Sequence, residues 1–107
     1  MILPVYNVRF SSEIAVHLQI AIDYYDQLSP GLGEKFLSEF EIQIVGVSQN
    51  PHGRAIRYDD VRFALISRFH YAIHYYIREP NKEVVAFALY STYIDPETNW
   101  KRPDSIL

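Results

Sequence analysis

The sequence predicts an α+β fold. It should hold an N-terminal strand and then an antiparallel helical hairpin packed on one face of a mainly antiparallel sheet, in the order β-α-α-β-β-β, with three or four strands after the helices. Three observations predict it. Up to about residue 50 the apolar residues recur at helical spacing. After residue 51 they alternate, or run on in β-branched and aromatic types. Between these halves, Asn50-Pro51-His52-Gly53 cannot continue a helix, and no repeat, low-complexity tract or linker separates them. The halves should therefore be layers of one domain. With 107 residues, the chain can bury about 65% of its unfolded surface, enough for one core.

The elements follow in order. Val5 to Phe10 reads as a short strand, and Ser11 as the N-cap of a helix from about Ser12 to Leu28. Glu13 sits in its first turn, where a carboxylate favours the positive end of the dipole. Ile14, Leu18, Ala21, Ile22, Tyr25 and Leu28 form its apolar stripe, with Asp23 and Asp26 off it. Ser29-Pro30-Gly31-Leu32-Gly33 breaks that helix and starts the next, with Pro30 suited to a first helical position. The second helix should run from about Leu32 to Ser48, burying Leu32, Phe36, Leu37, Phe40, Ile44 and Val47. A strand meander follows: Ala55 to Tyr58, a tight joint at Asp59-Asp60, Val61 to Phe69, and Tyr71 to Arg78. After a turn at Glu79 to Lys82, the nearly all-apolar run Val84 to Ser91 reads as a central strand covered on both faces.

Composition narrows the function. Hydrophobic residues make up 49% and charged residues 21%, which places the chain among globular proteins. The absence of cysteine excludes disulfides, thiolate zinc sites and thiol nucleophiles. No apolar run is long enough to span a membrane, and the first residues lack the pattern of a signal peptide, so a cytoplasmic location is expected. The net charge of −3 argues against a strongly basic nucleic-acid binder. It is unevenly placed, with a balance of −4 in residues 1–50 and +1 in residues 51–107.

Few residues point to chemistry directly. His70 and His74 are four apart, but along a strand four residues span about 13 Å, too far for two ligands of one metal. His17 and His52 fall on a helix and in a loop, where solvent-facing roles are the default. No metal and no cofactor is expected. Asp59 and Asp60 are adjacent, so a turn suits them better than a carboxylate pair. Gly31 and Gly33 precede a helix but lack the strand, Lys and third Gly of a phosphate loop. Arg54, Arg57, Arg62, Arg68 and Arg78 all fall on the meander or its edges. Arg62 and Arg68 should share the face opposite Phe63 and Leu65. Such a face, with tyrosines from neighbouring strands, could grip an RNA backbone, but a solvated outer face with ion pairs, or the seat of an acidic partner, is the commoner outcome.

A family resemblance covers about residues 5 to 102. The run Tyr24-Tyr25-x-x-x-Ser29-Pro30-Gly31-Leu32-Gly33-x-x-Phe36-Leu37 resembles the helix-to-helix segment of the RelE/ParE toxin superfamily, the plasmid-stabilisation toxins of type II toxin–antitoxin systems. Asn50-Pro51 closing the second helix is similar to that family. So is Val61-Arg62-x-x-Leu65-x-x-Arg68-Phe69-His70-Tyr71-x-Ile73-x-Tyr75, and so is the last apolar strand followed by Pro96 and Trp100. The resemblance implies one toxin domain over 1–107 and a cognate antitoxin that neutralises it by direct binding. The RelE-like branch cleaves mRNA on the ribosome, and the ParE-like branch poisons DNA gyrase.

The departures favour the ParE-like branch. Ala72 stands where the nuclease branch places an Arg, Tyr93 where it places a basic residue, and Tyr90 where the family often has His. RNA cleavage of this kind needs cations around a crowded phosphorane and an acid for the leaving oxygen. The leading expectation is a toxin that acts by protein binding, with Arg57, Arg62, Arg68, Tyr93 and Trp100 on its functional surface. The alternatives are a ribosome-dependent nuclease using Arg62 and Arg68 for phosphates and Tyr90 or Tyr93 as acid, and a non-toxic degenerate member. The antitoxin should lay an amphipathic segment across an apolar groove. A second copy of the chain could cover the same patch.

Overall fold

The computed structural model describes residues 5–93. Strand β1 (Asn7–Phe10) leads into helices α1 (Ser12–Leu28) and α2 (Leu32–Gln49), then strands β2 (Ile56–Tyr58), β3 (Val61–Ile66), β4 (Tyr71–Arg78) and β5 (Glu83–Ser91). The sheet order is β1-β5-β4-β3-β2. β1 runs parallel to β5, and every other pairing is antiparallel. The expected α+β arrangement is therefore present. β5 lies between β1 and β4, and Val84 through Leu89 are all buried, as a strand covered on both faces requires.

Local chemistry explains the hairpin. Ser11 caps α1, its Oγ accepting from the Ile14 N–H at 3.3 Å and donating to the Phe87 carbonyl at 3.1 Å. Helix α2 begins at Leu32 rather than at Pro30. Gly31 holds φ +88°, a left-handed conformation that no helix contains and that glycine adopts at little cost. Gly33 then brings the helices into contact, because a Cβ there would lie 2.6 Å from the Ile22 carbonyl oxygen. Its N–H donates to Asp26 Oδ1 at 2.8 Å, so a carboxylate of α1 already occupies the start of α2.

The main core lies between the hairpin and one sheet face. Ile14, Ala21, Phe36, Phe40 and Val47 from the helices meet Ala64, Ile66, Ile73, Tyr75, Val84, Ala86 and Leu89. The other face is buried too, around Val61, Phe63, Ala72, Tyr76, Val85, Phe87 and Ala88. The β4–β5 register shifts between His74 and Tyr75, whose partners are Ala88 and Ala86. Phe87 is the extra residue of this bulge, so Phe87 and Ala88 both join the second cluster.

Two expectations change. The strand expected over Val61 to Phe69 ends at Ile66, and a 3₁₀ turn over Ser67–Phe69 leads to His70 at φ 57°. The turn breaks the alternation and sends Phe69 into the helix-side core. There its ring lies 4.9 Å from Tyr25 and 5.1 Å from Phe36, and its carbonyl accepts from Tyr25 Oη at 2.7 Å. The stripe of α1 also ends early, for Leu28 is 61% exposed.

Candidate functional site

The arginines expected on one open sheet face are separated. Arg62 does oppose Phe63, but its face is the one the helices cover. It pairs across the ladder with Tyr75. Its guanidinium donates to the carbonyls of His52 and Arg54, while Tyr75 Oη donates to the Pro51 carbonyl at 2.7 Å. Arg62 and Tyr75 thus brace the loop after α2. Arg68 sits on the 3₁₀ turn and borders a shallow hollow beside α2 that also holds Glu34, Lys35 and Glu39. The turn separates it from Arg62, which is why the expected shared face does not form.

Arg57 belongs to the opposite face. Its guanidinium lies 4.6 Å from the centroid of Phe63, a cation–π contact. Phe63 stacks on His74 at 4.1 Å, and Tyr58 Oη lies 2.8 Å from His74 Nδ1. Tyr90 meets His74 edge-on at 5.0 Å and His17 at 5.2 Å. Burial, reinforced by the Arg57 charge, lowers the His74 pKa to about 3, so the imidazole is neutral at physiological pH. Burial also raises Tyr58 and Tyr90, which keeps both phenols protonated. Tyr93 is exposed, with its ring 4.6 Å from His70. A cleft of about 460 Å³ opens beside Arg57, between Phe63, Leu65, His70 and Thr92. Trp100 lies outside the described residues.

The candidates for phosphate chemistry therefore divide. Arg62 lies on β3 against the loop after α2, Arg68 sits beyond the strand on the 3₁₀ turn beside α2, and Tyr90 is packed against His74 on the opposite face. The two histidines weighed as metal ligands differ as well. His74 is wholly buried within β4, while His70 is exposed at the turn before it. Among the described residues no three His, Asp or Glu side chains group as metal ligands, and no helix is long and apolar enough to cross a membrane.

The helical hairpin carries a different kind of feature. A groove of about 560 Å³ runs between α1 and α2, lined by Phe10, Ile14, Leu18, Leu37, Phe40 and Ile44, with Val45 at its margin. Its lining is apolar except for Glu41. Phe10 and Val45 are 46% and 54% exposed. Periodicity identifies the helical members of this groove as core. It cannot show that part of the stripe stays open, nor that Phe10 at the end of β1 joins it.

A solved chain shares this architecture. One from the chromosomal ParDE TA system of P. aeruginosa matches with a TM-score of 0.68 at 18% identity, covering 79% of this chain and 94% of that chain. What the two have in common is the fold. No family model matches the sequence, and no curated protein does.

Proposed function

We propose that this chain is the toxin of a type II toxin–antitoxin system, a single cytoplasmic ParE-like domain acting through protein binding on DNA gyrase. The observation that carries this reading is the likeness to the ParDE chain over 94% of its length. The spread of the charged and phenolic candidates supports binding over hydrolysis. A phosphorane needs its cations and its acid within hydrogen-bond reach of one phosphate. Arg62 is engaged by the loop after α2, whereas Arg57, Arg68 and Tyr93 are exposed, where a protein target could reach them.

The antitoxin would lay an amphipathic segment into the groove between α1 and α2, covering Phe10, Leu37 and Val45. Induced expression in a bacterial host tests the reading. Growth arrest should appear, and co-expression of the neighbouring gene should relieve it. Purified protein should inhibit gyrase supercoiling and leave ribosome-bound mRNA intact. Cleavage of that mRNA, lost on Arg68→Ala, would replace this reading with the nuclease one. Absence of arrest would mark a non-toxic member.

A further inference from the structure

Helix α1 has a second apolar surface that the core does not use. Val16, Ile20, Tyr24 and Leu28 are 58%, 62%, 53% and 61% exposed. They stand four residues apart, so they form one ridge about 18 Å long. Successive residues turn by about 100° around a helix, which places this ridge on the flank of α1 opposite Ala15 and Ile22. Ala15 lines the groove to α2. A polar row of Ser12, Gln19 and Asp23 runs between the two surfaces, and Gln19 donates to Asp23 at 2.9 Å. The ridge is therefore separate from the groove.

Charge selects what the ridge can bind. Glu13, Asp23 and Asp26 are the charged residues of α1, which has no Lys or Arg. Asp26 is engaged by the Gly33 N–H, while Glu13 and Asp23 are exposed at the margins of the ridge. A second copy of the chain would set these acids against themselves. An anionic membrane would repel them. A segment with apolar residues on one side and Lys or Arg on the other meets both features of the surface.

We propose that the Val16–Ile20–Tyr24–Leu28 ridge of α1 is a docking surface for a basic amphipathic helix of a partner protein, distinct from the groove between the two helices. The ridge follows the four-residue row of α1. A partner helix whose own four-residue row packs into it would cross α1 at about 50°. The inference goes beyond the toxin reading and holds whether or not expression arrests growth.

Two synthetic 18-residue helical peptides test it, with the same leucine face and either lysine or glutamate on the polar face. Binding to the full chain is read by fluorescence anisotropy. The lysine peptide should bind, and raising the salt should weaken it. Ile20→Lys and Leu28→Lys should each weaken binding at least tenfold, and Asp23→Asn a few-fold. Val45→Lys, which alters the groove, should leave it unchanged. All four positions are exposed, so circular dichroism should show native spectra. Equal binding of both peptides would overturn the proposal, as would loss of binding on Val45→Lys alone. Sedimentation showing a dimer that Ile20→Lys dissolves would identify a second copy as the occupant and overturn it too. Partition into anionic vesicles would do the same.

Discussion

The two faces of the sheet are both buried, but by different chemistry. The helix side is aliphatic and aromatic packing: Ala64, Ile66, Ile73, Val84 and Ala86 under Ile14, Phe36 and Phe40. Its one deep phenol, Tyr75, points its hydroxyl at the Pro51 carbonyl. The opposite side is built around an imidazole. His74 is wholly buried, stacked on Phe63, in contact with Tyr58 Oη and flanked by Tyr90 and Phe87. Van der Waals contact and apolar burial hold the first face at any pH. The second requires a neutral histidine. The same backbone thus carries one face that responds to cavities and one that responds to protons.

Cutting into the helix-side face should have the largest effect. Phe36 has no exposed surface and stacks on Tyr25 at 5.3 Å, so Phe36→Ala should cost about 3–5 kcal/mol in chemical denaturation. The cost should be nearly the same at pH 5 and pH 8.

Acid should expose the other face. An unfolded histidine gains its proton near pH 6.5, while His74 in the folded chain stays neutral down to about pH 3. Between these values the unfolded state binds the extra proton, so folding weakens as pH falls. The slope should approach 1.4 kcal/mol per pH unit, or about 3 kcal/mol lost by pH 4.5. His74→Phe should flatten this limb in urea denaturation across pH 4–7. An unchanged limb would show that His74 does not set it.

The seam between the helices should respond next. Propensity alone favours Gly33→Ala by about 1 kcal/mol. Here the new methyl would meet the Ile22 carbonyl at 2.6 Å and the Asp26 carboxylate at 2.8 Å. The substitution should therefore destabilise by about 1–3 kcal/mol, read as a lower Tm. The smallest effect belongs to the rim. Arg9 and Glu83 pair at 3.3 Å with the Arg9 side chain 54% exposed, so Arg9→Ala should change stability by less than about 1 kcal/mol.

Residue patterns made some of this legible and hid the rest. The helices were readable because their stripes and their punctuation agree. Ser11 caps α1, Gly31 and Gly33 set the joint, and Asn50-Pro51 closes α2. The expected functional surface was readable only as residue types. Arg62 and Arg68 share a parity in the sequence, but the turn at Ser67–Phe69 resets it, and Arg62 spends its guanidinium on loop carbonyls. No local signal marks the Tyr58–His74 contact or the bond from the Leu89 N–H to His17 Nδ1, which join residues 16 and 72 positions apart.

By itself, the sequence determined the kinds of element, their order and the sharp helical joint. These rest on interactions within a few residues: hydrophobic spacing, capping and the φ that glycine allows. Only the tertiary structure decided the parallel pairing of β1 with β5, which face each arginine occupies, and the exposure of Val16, Ile20, Tyr24 and Leu28. Periodicity places residues on a common face, but what that face meets depends on contacts far along the chain. An apolar ridge looks the same in sequence whether a core covers it or leaves it for a partner.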